Sequence, residues 1–100
     1  MKIFWTREAL VRLQEINSYI SKDSPDAGEV FVNGIISATE SLTQYPERGR
    51  VVPELSIETI RELIYKNYRI VYLIKKKSIE VLTVFEGHKL LKSEEILKKK

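Results

Sequence analysis

Six cationic side chains stand where they could act together on an anion: Arg48 and Arg50 in a loop bounded by proline and glycine, Arg61 and Arg69 in two successive β-favouring runs, and His88 and Lys89 after a third. A guanidinium offers a fork of donors that matches the oxygens of phosphate or carboxylate, so such a set could line a cationic concavity. His88 is the only histidine and the only side chain whose ordinary pKa suits general acid/base work near neutrality, with a structural role as its alternative. Arg69 lies in the run Tyr68–Ile74, where the two-residue period of a strand puts it on one face with Val71 and Leu73 and puts Tyr68, Ile70, Tyr72 and Ile74 on the other. An arginine there is costly to bury unpaired. It either meets an internal acid, with Glu54, Glu62 and Glu86 as candidates, or faces a groove that receives an anion.

Other chemistries are excluded or unsupported. With no cysteine there is no disulfide, thiolate metal site or cysteine nucleophile. One histidine and scattered carboxylates give no metal-ligand spacing, and no phosphate loop, nucleophile elbow or dinucleotide fingerprint occurs.

The elements that must position these residues follow from the periodicities. Ile3–Trp5 reads as a short strand, and Thr6 as the cap of a first helix with apolar positions Ala9, Leu10, Leu13, Ile16 and Ile20. Ser24 caps a second helix with Pro25 at its first position and a stripe Ala27, Phe31, Gly34, Ile35, Ala38 and Leu42, running to Tyr45 and stopped by Pro46. Gly28 and Gly34 inside it predict the close approach of a neighbouring backbone. Residues 46–60 read as a loop. The runs Ile60–Lys66, Tyr68–Ile74 and Ile79–Phe85 read as three antiparallel strands, with Asn67 supplying the positive φ of a tight hairpin and Lys75–Lys77 a solubilising turn. Ser93–Lys100 predicts a short tail helix. The expectation is an α+β fold of order β-α-α-β-β-β, a helical hairpin packed on a small antiparallel sheet whose other face is left open.

One hundred residues, 43% hydrophobic and 31% charged, predict one domain over 1–100. The longest nearly apolar run, Tyr68–Ile74, is far too short to span a bilayer, and the N-terminus lacks a signal-peptide core, so a cytoplasmic protein with no membrane partner is expected. The net charge of +3 is uneven: residues 1–50 hold six basic and seven acidic side chains, residues 51–100 eleven and seven. The excess lies on the strands and tail, where it fits docking onto an acidic protein segment at least as well as gripping a nucleic acid.

The pieces Phe4–Ala9, Leu13–Ile16, Tyr45–Leu55, Arg61-Glu62-Leu63 and Tyr68-Arg69-Ile70-Val71-Tyr72 together resemble the ParE branch of the RelE/ParE toxin superfamily over nearly the whole chain. That resemblance implies a toxin of a type II toxin-antitoxin module, also called a plasmid stabilisation protein, working without a cofactor and neutralised by a cognate antitoxin in a hetero-oligomer. RelE-like relatives are ribosome-dependent mRNA endonucleases; ParE-like relatives inhibit DNA gyrase. The Pro46–Leu55 loop and the Arg61-Glu62-Leu63 strand favour the gyrase-directed, non-nucleolytic branch. Where many relatives carry a histidine after the last strand, this chain has Glu86, with His88 and Lys89 at the usual arginine pair. If the chain is nevertheless a ribonuclease, its catalytic set would be Arg61, Arg69, Glu86 and His88. The surface expected to meet target or antitoxin comprises Arg48, Arg50, Arg61, Arg69, His88 and Lys89.

Overall fold

The structure is a computed structural model, and it describes residues 1–87. The expected tail helix, His88 and Lys89 lie outside the described residues. Seven principal elements follow one another: β1 (Lys2–Trp5), α1 (Arg7–Ser21), α2 (Pro25–Glu40), β2 (Arg50–Val51), β3 (Ile60–Tyr65), β4 (Tyr68–Ile74) and β5 (Ser78–Glu86).

Both helix starts form as their capping residues dictate. Thr6 Oγ1 accepts from the Ala9 amide at 3.1 Å and Ser24 Oγ from the Ala27 amide at 3.2 Å, each satisfying an orphan donor of a first turn. Thr6 also ties α1 to the sheet, since its amide donates to the Val81 carbonyl at 3.0 Å and its hydroxyl to that of Leu82 at 3.0 Å. Ala9, Leu13, Phe31 and Ile35 are the buried helical residues that pack on Ile70, Val81 and Val84. In α2 the buried stripe includes Gly28 and Thr39, while Ala27 is exposed; the helix ends at Glu40, and a 3-10 turn, Ser41–Thr43, delivers Leu42 to the core. The two glycines are approached by side chains rather than by backbone. A β-carbon at Gly34 would overlap the ring and hydroxyl of Tyr65, and one at Gly28 would overlap Asn17 and Ser21.

The expected α+β architecture is present, with a sheet that is mixed rather than wholly antiparallel. Strand order is β1-β5-β4-β3-β2; β2 to β5 form an antiparallel meander and β1 lies parallel to β5 at the edge. No hairpin joins β1 to β5, so nothing local fixes their relative direction. Within the expected loop, Arg50 and Val51 form the short edge strand β2 opposite Glu62 and Arg61. The β3–β4 hairpin turns at Lys66 and Asn67 as expected, but Lys66 carries the positive φ of 55°. In β5 a bulge skips Leu82, because Val71 pairs with Thr83 and Tyr72 with Val81. The bulge lets Val81 and Val84 both face the helices while Leu82 faces away.

The face away from the helices is not open as expected. The chain between β2 and β3 folds across it and buries Val52, with Leu55 and Ile57 packed alongside, against Ile60, Val71, Leu73 and Leu82. A second apolar core therefore sits under this segment, and the ionic groups at its margin are drawn out of water with it.

Candidate functional site

The two-residue turn at Lys66-Asn67 puts Tyr65 opposite Tyr68, which in turn puts Arg61 opposite Tyr72 and Ile64 opposite Arg69. Arg61 therefore shares the helix-side face with Leu63 and Tyr72, and Arg69 shares the far face with Glu62 and Val71. The two arginines expected to act together stand on opposite faces of the sheet. Among the described residues, the structure does not gather the four predicted arginines into one concavity.

Arg69 is 4% exposed and sits among acids. Its Nε donates to Glu62 Oε1 at 2.6 Å, and its Nη1 and Nη2 donate to the two oxygens of Glu54 at 2.8 and 2.7 Å. The ring of Phe85 lies beneath the guanidinium, 4.9 Å from centroid to Cζ. Of the two alternatives read from the sequence, the internal acid is the one present, with Glu54 and Glu62 as partners. The Glu54 hydrogen bonds push the Arg69 pKa up against the opposing effect of burial, and Glu62 adds to the rise. Glu62 has a completely buried side chain, and its second oxygen accepts from Arg50 Nε at 2.6 Å. Arg50 reaches this acid from β2 while 61% of its side chain stays in solvent. The four residues form a chain Arg50–Glu62–Arg69–Glu54 that fastens the segment after β2 to the middle of the sheet.

The other face holds the start of the same segment. Arg61 Nη1 donates to the Gly49 carbonyl at 3.0 Å, and Arg61 Nε to that of Glu58 at 3.1 Å. Tyr72 is fully buried; its hydroxyl accepts from the Gly49 amide at 2.9 Å and donates to the Pro46 carbonyl at 2.7 Å. Burial pushes the Tyr72 pKa up, with the Gly49 amide pulling the other way. A β-carbon at Gly49 would come within 2.5 Å of the Glu62 carbonyl oxygen and 2.6 Å of the Tyr72 hydroxyl, so only glycine fits this crossing.

Glu86 lies away from Arg69, opposite Tyr68 in the β4–β5 register. Together they line a cleft of about 200 Å³ with Arg12, Glu15, Ile16 and Tyr19. Burial raises the Tyr68 pKa, and the charge of Glu86 raises it further. Carboxylate and phenol could exchange a proton with a bound group. Arg12, however, is engaged with Glu8 at 2.7 Å and Glu15 at 3.5 Å.

Arg48 alone of the four described arginines in the expected surface has no side-chain hydrogen bond or ion pair among the described residues. It lies on the 3-10 turn Pro46–Arg48 and lines a second, larger cleft of about 640 Å³ with Met1, Gln44, Tyr45, Pro46, Glu47 and Ile74. Sequence reasoning did not single out Tyr45, Met1 or Ile74 as parts of a site. The available signal was their apolar character next to turn residues, which becomes informative only once three separate stretches meet. Among the described residues no three histidines or acids could hold a metal ion, and no helix is long and apolar enough to cross a membrane.

Residues 3–91 match the family described as the ParE toxin of type II toxin-antitoxin system parDE. The chain is similar to the Sinorhizobium fredii protein named "Putative toxin Y4kP", 42% identical over 89 residues that cover 87% of this chain and 88% of that one. It is also similar to Toxin RelE2 of Caulobacter vibrioides, 40% identical over 63 residues, 63% of this chain and 67% of the relative. The fold matches a solved chain from the chromosomal ParDE TA system of P. aeruginosa with a TM-score of 0.71 and 24% identity, covering 86% of this chain and 95% of the other.

Proposed function

We propose, from the premise that this chain belongs to the ParE toxin family of type II toxin-antitoxin systems, that it stops growth by docking onto DNA gyrase rather than by cutting RNA. The supporting observation is the placement of the arginines. A nuclease of the related type would need sheet-borne cations aimed at one phosphate, because transition-state charge is stabilised by donors already converging on it. Here Arg61 and Arg69 are on opposite faces, and both hold the protein's own loop. What the sheet presents instead is a loop-covered surface suited to contact with another protein.

A cognate antitoxin follows from membership of the family. The shallow groove between the helices, about 280 Å³ and lined by Leu10, Leu13, Gln14, Asn17 and Val32, suits the apolar face of an antitoxin helix. The outer edge of β1 could accept an added strand, giving a toxin-antitoxin hetero-oligomer in the cytoplasm.

The ribosome-dependent endonuclease is the second reading, favoured by the Tyr68–Glu86 pair and by the likeness to a relative named RelE2. Supercoiling by purified gyrase separates the two. Inhibition at stoichiometric excess of the chain is expected, together with intact mRNA on translating ribosomes. Unimpaired supercoiling with new toe-print cuts in the mRNA would overturn the gyrase reading.

A further inference from the structure

The cleft of about 200 Å³ lies between α1 and the end of the sheet where β4 begins and β5 stops. Its aliphatic walls are Val84, which is fully buried in the helix-side core, and Ile16, which packs against that core. Two phenol rings complete the lining. Tyr68 is held in place by Phe31, whose ring meets it edge-on with centroids 5.0 Å apart. Tyr19, near the end of α1, is 72% exposed, so the cleft opens to solvent beside an aromatic ring that the core does not use.

The charged side chains of the lining are Arg12, Glu15 and Glu86, one guanidinium against two carboxylates. That guanidinium is already engaged, with Glu8 at 2.7 Å and Glu15 at 3.5 Å. The excess in the cleft is therefore negative, in a chain whose net charge is +3. A carboxylate offers about four acceptor sites, so neither the long contact of Glu15 with Arg12 nor the interaction that Glu86 already makes exhausts it. Tyr68 feels the same field, since the charge of Glu86 adds to the rise in its pKa that burial begins.

Phenol faces attract cations, and carboxylates beside them select a cation that donates in several directions at once. A guanidinium does both: it is planar, weakly hydrated, stacks on rings and carries five donors, whereas an ammonium is a compact and strongly hydrated point charge. The cleft is smaller than the roughly 300 Å³ at which small-molecule pockets begin, which suits a single side chain. We propose that this cleft is a socket for one arginine side chain presented by a partner protein segment, with the guanidinium against Tyr19 and between Glu15 and Glu86 and the methylenes along Ile16 and Val84. A phosphate is disfavoured at the same place by the two carboxylates. The inference goes beyond the gyrase reading and does not depend on it, because its test contains no gyrase.

The test is a titration of the isotopically labelled full chain followed by amide chemical shifts. The probes are a capped glycine pentapeptide with a central arginine, the same peptide with citrulline or with lysine at the centre, and inorganic phosphate. The arginine peptide is expected to move the signals of Glu15–Tyr19, Tyr68 and Val84–Glu86 and to leave β1 and α2 unmoved. The citrulline peptide, of the same shape without the charge, and phosphate leave these signals in place, and the lysine peptide binds more weakly than the arginine peptide. Tyr19→Ala and Glu86→Gln each weaken binding of the arginine peptide by about threefold, as for an exposed cation–π contact or ion pair, while the remaining spectrum stays that of the folded parent. No shift with the arginine peptide, shifts centred elsewhere, equal binding of the citrulline or lysine peptide, binding of phosphate at these residues, or undiminished binding by both variants would each overturn the proposal.

Discussion

Arg48 and Arg50 are two positions apart, yet they belong to different regions with different physics. Arg50 enters β2, where the register sets it opposite Glu62, and it becomes the outer member of a buried ionic chain with Arg69 and Glu54. Arg48 stays on the preceding turn beside an open cleft, its guanidinium in water. On the far face the charges organise the protein; at the end of the sheet they are available to something else. Residue type is the same in both places, and what separates the roles is whether a strand register supplies a carboxylate.

If the ionic chain is the fastening of the loop, its centre is the most sensitive point in the molecule. Glu62→Ala takes from the buried Arg69 the acid on its Nε and from Arg50 its ion-pair partner, and is expected to lower unfolding stability by about 3–5 kcal/mol, read by chemical denaturation. A loss below about 1 kcal/mol, the level of an exposed pair, would dissolve the distinction between the two regions. Gly49→Ala comes next, because the added methyl group meets the Glu62 backbone and the Tyr72 hydroxyl; a loss of about 1–3 kcal/mol is expected in the same measurement.

Tyr72→Phe leaves the Gly49 amide and the Pro46 carbonyl without their partner and should lose about 1–2 kcal/mol. The same residue sets an alkaline dependence. A phenol whose pKa is raised in the folded state holds its proton where the unfolded chain releases it, so its contribution is intact below the ordinary tyrosine value of about 10 and is lost as pH rises through that value and beyond. Tyr68, raised in the same direction, contributes the same sign. Stability should therefore fall above that pH, and Tyr72→Phe should flatten part of the fall in denaturation midpoints. The smallest effect on folding belongs to the other region: Arg48→Glu should change stability by no more than about 0.5 kcal/mol, since it removes no internal contact.

Much of this arrangement was legible in the residues. Thr6 and Ser24 marked the helix starts through their hydroxyls, and the two-residue alternation of Tyr68–Ile74 correctly set Arg69 with Val71 and Leu73. The separation of Arg61 from Arg69 was also implicit. Once the hairpin turns at Lys66-Asn67, the pairing of Arg61 with Tyr72 fixes its face, and the expectation of a shared concavity overlooked that parity. Two features had no local signal: the parallel seat of β1 depends on where the far end of the chain arrives, and the β5 bulge breaks a periodicity that the residues themselves continue. Glu54 was among the acids named for Arg69, but its segment has no period that would single it out. The positive φ at Lys66 runs against residue preference and is imposed by the strands on either side of a short turn.

The central claim is that Arg69 is held by the protein's own acids while Arg48 faces outward. Side-chain Nε–H signals of the two arginines test it directly, by their exchange with water and their response to a short oligoribonucleotide. The Arg69 signal should exchange slowly and remain unmoved by the RNA, while that of Arg48 exchanges rapidly. An Arg69 signal that exchanges as fast as Arg48, or that shifts when the RNA is added, would contradict the account and return Arg69 to the role of a phosphate ligand.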